Sequence, residues 1–117
     1  MGFASPADDY IEGRLSLDAL LIQNKDATFF FRAKGDSMNG AGIFDGDLLV
    51  VDKSVTPTSG SIVIAVIDGE LMVRRLIKHD DQVSLRPENP EFEKNMLKNE
   101  QELQVWGVVT SAIKQFD

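Results

Sequence analysis

The spacing of apolar side chains divides the chain into short segments of two kinds. Leu17, Ala19, Leu20 and Leu21 follow Ser16 at a spacing that suits one short helix, with Ser16 as its N-cap. Beyond the Asn24-Lys25-Asp26 turn the period falls to two. Ala27, Phe29, Phe31 and Ala33 alternate with Thr28, Phe30, Arg32 and Lys34, which predicts a strand. Leu48 to Val51 predicts a second strand, and the unbroken apolar run Ile62 to Ile67 a buried one. Asp68-Gly69 is a hairpin signal leading into a strand over Leu71 to Ile77. A turn at His79-Asp80-Asp81 precedes a short strand from Val83 to Arg86. Residues 87–102, with Pro87, Pro90 and mixed Asn, Glu and Lys, read as a loop. Leu103 to Ile113 alternates again, with Leu103, Val105, Val109 and Ile113 assigned to one face.

Many short strands joined by turns predict a mostly β domain with one short N-terminal helix. Residues 1–14 carry Pro6, two glycines and the acidic Asp8, Asp9 and Glu12, and read as an extended arm. Residues 15–117 read as a single domain, long enough to bury one modest core. Exposed sheet edges favour pairing with a second copy.

Composition narrows the chemistry. There is no cysteine, which excludes disulfides, thiol nucleophiles and thiolate metal sites. With His79 as the one histidine, a structural zinc site is disfavoured, and a Ser-His-Asp triad could form only there. Twelve basic against nineteen acidic residues leave a net charge of −7, which argues against direct binding of duplex DNA. No apolar run is long enough to span a bilayer, and the N-terminus lacks the pattern of a secretory signal. The expectation is a cytoplasmic protein with no membrane contact.

The sharpest local feature is Gly35-Asp36-Ser37-Met38. Four glycines (Gly35, Gly40, Gly42 and Gly46) fall within twelve residues after the first strand and mark tight backbone geometry. A serine in such a turn can expose its hydroxyl while neighbouring N–H groups form an oxyanion site. Most Gly-Asp-Ser turns merely turn, and a nucleophile also needs a base. His79 sits in a polar turn beside two aspartates and reads as solvated. A lysine with a lowered pKa is the alternative base. Phe29 to Phe31 could stack nucleobases, but strand alternation and the acidic balance favour core packing. The scattered acidic residues could supply a glycosidase carboxylate pair, yet they sit in turns and the arm, as a solvated surface would.

An ordered series of motifs runs along nearly the whole chain. It comprises Gly2-Phe3-Ala4-Ser5-Pro6-Ala7, Asp9-Tyr10, Leu20-Leu21-Ile22-Gln23, Gly35-Asp36-Ser37-Met38 and Gly42-Ile43. It continues with Asp45-Gly46-Asp47-Leu48-Leu49, Val51-Asp52, Asp68-Gly69-Glu70, Val73, Leu76 and Gly107-Val108-Val109. In these motifs the chain resembles the UmuD/LexA family of self-cleaving SOS proteins, and its UmuD branch more than its LexA branch. The resemblance implies a compact β peptidase fold, a Ser-Lys dyad with Ser37 at the nucleophile position, and homodimerisation. It also implies cleavage stimulated by RecA filaments and delivery of the product to a UmuC-like Y-family translesion polymerase. It calls for no cofactor and no metal.

Two departures stand out. The family lysine falls in the hairpin strand after Gly-Glu-x-x-Val, and that position here is Arg74. Arginine cannot be deprotonated in a protein, so it cannot serve as general base. The blander reading of Arg74 and Arg75 is a pair of packed stems with solvated heads. Lys78 shares Arg74's strand face but lies too far along it to substitute. Secondly, the family cleaves an Ala-Gly or Cys-Gly bond just before a segment like Gly2 to Pro6, and here Met1 precedes Gly2, as in a processed product. The internal pair Ala41-Gly42 reads as structural. The first expectation is therefore a processed accessory subunit of an error-prone polymerase. The alternatives are an active Ser-Lys self-peptidase acting in trans and the C-terminal dimerisation domain of a LexA-like or phage repressor.

Overall fold

A computed structural model describes residues 11, 13, 16–95, 97–98 and 103–117. The expected arm and the Met1-Gly2 junction lie outside the described residues, apart from Ile11 and Gly13. The Ser16 hydroxyl accepts from Ala19 N at 3.1 Å and opens helix α1, Leu17–Leu21. Seven strands follow: β1 (Thr28–Arg32), β2 (Leu48–Asp52), β3 (Ile62–Ile67), β4 (Glu70–His79), β5 (Gln82–Arg86), β6 (Leu97–Lys98) and β7 (Leu103–Ile113). They form one antiparallel sheet in the order β1-β2-β7-β3-β4-β5-β6. The mostly β expectation holds.

Hairpin chemistry sets the register of the central strands. Asp68 (φ 49°) and Gly69 (φ 85°) both adopt left-handed backbone, as a type I′ turn requires, and pair Ile67 with Glu70. The β3 run is apolar throughout because the sheet is covered on both faces. Val63, Ala65 and Ile67 join Leu76, Leu85 and Val108 in one buried cluster. Ile64 joins Ala33, Met38, Ile43, Leu49 and Val51 in the other.

Three expectations change. The β7 alternation does not keep one face, because the register slips at Trp106 between the Ala65–Val105 and Ile64–Gly107 pairs. This bulge flips the parity of the strand: Leu103 and Val105 pack on one cluster, Val109 on the other. Among the three phenylalanines, Phe31 packs against the core, but Phe29 and Phe30 are exposed. Phe29 instead lies edge-on to Trp106, with ring centroids 5.2 Å apart. The 87–102 segment contains a 3₁₀ turn, Pro90–Asn95, and β6.

Candidate functional site

The chain leaves β1 at Arg32 and makes a glycine-rich excursion before β2 begins at Leu48. Two aspartates hold that excursion in shape. Asp45 Oδ1 accepts from Gly35 N at 2.7 Å, and Gly35 itself needs left-handed backbone (φ 81°). Asp47 Oδ2 accepts from Phe44 N at 2.9 Å and from Lys114 Nζ at the end of β7. Burial alone would raise the Asp47 pKa. The Lys114 hydrogen bond and charge, with the Phe44 N–H, outweigh it and hold the carboxyl below its ordinary value. Met38 is buried beneath the turn, and its carbonyl accepts from Ala41 and Ile43. Ala41-Gly42 closes the short 3₁₀ turn Asn39–Ala41, with Gly42 left-handed at φ 84°.

A second segment clamps the serine from outside. Glu88 N donates to Ser37 O at 2.8 Å, and Gly40 N donates to Glu88 O at 2.6 Å. Asn89 Nδ2 donates to Asp36 O at 2.7 Å. The Glu88 carboxylate accepts from Arg75 Nε at 2.9 Å and from Arg86 Nη2 at 3.2 Å. The Arg75 hydrogen bond is the main reason its pKa lies below the ordinary glutamate value; burial opposes the shift and Arg86 reinforces it. Neither Glu88 nor Asn89 carried a sequence signal beyond loop composition. The one available hint was Pro87 and Pro90 flanking them, which rigidify a short stretch.

Ser37 and Arg74, thirty-seven residues apart, meet here. Arg74 projects from β4, and its Nη1 donates to Ser37 Oγ at 2.9 Å and to Val73 O at 2.7 Å. The guanidinium is half-buried, and that burial pushes its pKa down. Among the described residues, its buried Nε has no acceptor. The solvated-head reading therefore fails for Arg74, while Arg75 reaches Glu88 and Gly60 O. Among the described residues, the Ser37 and Met38 amide N–H groups have no acceptor. Ser37 and Arg74 line a cavity of about 520 Å³, walled mainly by apolar residues of β1, β2, β3 and β4, with Phe92 at its side.

The other candidate bases stay outside. His79 is exposed and lies 3.8 Å from Asp80. The Lys78 backbone is tied to Ser59, and its side chain does not line the cavity. Among the described residues, no group of three His, Asp or Glu could hold a metal ion, and no helix is long and apolar enough to cross a membrane.

Comparison with known proteins adds to this geometry. Residues 1–110 match the family model described as Peptidase S24-like. The chain is 48% identical over 112 residues to Protein SamA of Salmonella typhimurium, spanning 96% of this chain and 77% of that protein. It is 47% identical over 114 residues to Protein ImpA of Escherichia coli, spanning 96% and 76%. A LexA repressor of Citrifermentans bemidjiense is 37% identical over 117 residues, 99% of this chain and 58% of the repressor.

Proposed function

We propose, since the chain belongs to the Peptidase S24-like family, that it is an accessory subunit of an error-prone translesion polymerase in the SOS response, built on a self-peptidase fold that no longer cuts. The UmuD-type motifs and the identities to SamA and ImpA, higher than that to the LexA repressor, support the first half of this reading. In it, the chain works as a homodimer in the cytoplasm, with a UmuC-like Y-family polymerase and RecA-coated single-stranded DNA as partners.

The second half rests on one contact. Arg74 stands where the family has its dyad lysine, and it donates to Ser37 Oγ. Attack by a serine requires a base that accepts the hydroxyl proton as the new bond forms. A neutral amine can accept that proton; a guanidinium, charged at any working pH, occupies the hydroxyl as a donor instead. The turn, the amide N–H groups without an acceptor among the described residues and the cavity remain peptidase-like, while the proton has nowhere to go.

Primer extension across an abasic site tests the role. The chain, added with a Y-family polymerase and a RecA filament, is expected to increase bypass, and Ser37→Ala is expected to increase it equally. No increase from either protein would refute the accessory role.

A further inference from the structure

The packing that shapes the serine turn also imposes a chemically labile pair. A Cβ on residue 40 would lie 2.5 Å from the Glu88 carbonyl oxygen, so the clamp demands glycine there. The residue before it is Asn39, and no other asparagine of the chain precedes a glycine. A side chain on the following residue ordinarily keeps the next backbone nitrogen away from an asparagine amide. Gly40 has none, so its nitrogen can reach Asn39 Cγ and close a succinimide ring.

The chemistry needs only water. The Gly40 nitrogen bonds to Asn39 Cγ, the Cγ–Nδ2 bond breaks, and the Gly40 amide proton leaves with Nδ2 as ammonia. Water then opens the ring at either carbonyl, giving aspartate or isoaspartate at position 39. Both products carry a new negative charge two residues from Ser37. The isoaspartyl product also routes the main chain through one extra carbon, which lengthens a turn closed by short-range hydrogen bonds.

Main-chain contacts govern when this happens. Gly40 N donates to Glu88 O at 2.6 Å, so its proton is engaged and its nitrogen is held against the 86–89 segment. Asn39 N donates to Asp36 O at 3.3 Å, and Asn39 O accepts from Gly42 N at 2.9 Å. Both bonds hold Asn39 in its 3₁₀ turn, whereas ring closure requires rotation about the Asn39 Cα–C bond. The side chain is less restrained: Asn39 Oδ1 is buried with no donor among the described residues. We propose that Asn39 is a deamidation site whose rate is set by opening of the Glu88 clamp. Loss of ammonia makes each conversion one-way, and the lengthened turn no longer brings Gly40 N to Glu88 O.

The test incubates the intact chain at mildly alkaline pH beside the free peptide Asp-Ser-Met-Asn-Gly-Ala-Gly. Position 39 is followed by mass spectrometry of peptides cut at acid pH. Asn39 in the folded chain is expected to convert about ten- to hundredfold more slowly than the peptide, the factor contributed by two main-chain hydrogen bonds. Asn89→Ala removes the donor to Asp36 O and is expected to speed conversion several-fold. Arg86→Ala frees Glu88 from one of its two arginine partners and is expected to act in the same direction. Circular dichroism establishes that each variant is folded; should Asn89→Ala unfold, Arg86→Ala carries the test. Converted protein is expected to unfold at lower urea than fresh protein, while an Asn39→Gln chain aged alongside keeps its midpoint. Conversion as fast as in the peptide overturns the inference. So does an absence of product after a time in which a reaction about a hundredfold slower than the peptide's would finish. Unchanged rates in the folded variants, or an unchanged midpoint after conversion, overturn it as well.

Discussion

Replacing Gly40 with alanine tests the clamp that holds the serine turn. A Cβ built on Gly40 would lie 2.5 Å from the backbone carbonyl oxygen of Glu88. Ordinary contact would require that carbonyl to retreat by about 1 Å. Backbone cannot rotate away as a side-chain tip can, so the 86–89 segment must shift. That shift breaks the Gly40 N to Glu88 O bond and strains the Glu88 N to Ser37 O bond. Each contributes about 0.5–1.5 kcal/mol net, and steric strain adds a comparable amount, so Gly40→Ala is expected to cost about 2–3 kcal/mol. For a domain of this length that lowers Tm by roughly 10 °C. Urea unfolding followed by Trp106 fluorescence measures it, with Lys34→Ala as an exposed control expected to change stability by less than about 0.5 kcal/mol. A Gly40→Ala protein within about 0.5 kcal/mol of the parent would refute the account of the clamp.

Further outcomes follow from the packing and charges. Leu49 is fully buried in the cluster under the serine turn, and Leu49→Ala is expected to lose about 2–5 kcal/mol in urea unfolding. Glu88 has a depressed folded pKa, so its stabilisation is present above the ordinary value of about 4.3 and is lost as pH falls through the lower folded value. Glu88→Gln is therefore expected to flatten part of the acid limb in urea midpoints measured from pH 6 to pH 2.5. Sedimentation at micromolar concentration is expected to give a homodimer; monomer alone across that range would contradict the assembly reading.

The fold was legible wherever side-chain period and turn chemistry act locally. β3 matches its expected bounds because its apolar run ends at the Asp68-Gly69 turn, β7 keeps the expected Leu103 to Ile113 span, and Ser16 caps α1 because its hydroxyl needs only a neighbouring N–H. The face assignment along β7 failed at Trp106, since a bulge depends on the partner strand and leaves no mark in alternation. Phe30 misled for a similar reason: an apolar residue at alternating spacing does not reveal whether its face is covered. The meeting of Ser37 and Arg74 could be expected only through the family resemblance, because no local pattern links residues so far apart. The Glu88 clamp stayed hidden because it works mainly through main-chain atoms, which composition does not encode.

The most direct measurement is a gel assay of arm cleavage in trans, with and without RecA filaments, using one full-length UmuD-like substrate. The unmodified chain holds its serine against a guanidinium that cannot accept a proton, so it is expected to cut negligibly. Arg74→Lys places an amine in the same half-buried position, where burial lowers its pKa toward that of a usable base. It is expected to cleave about two to four orders of magnitude faster than the parent, and Ser37→Ala on that background to abolish the activity. Robust cleavage by the unmodified chain, or none by Arg74→Lys in a folded protein, would contradict the account.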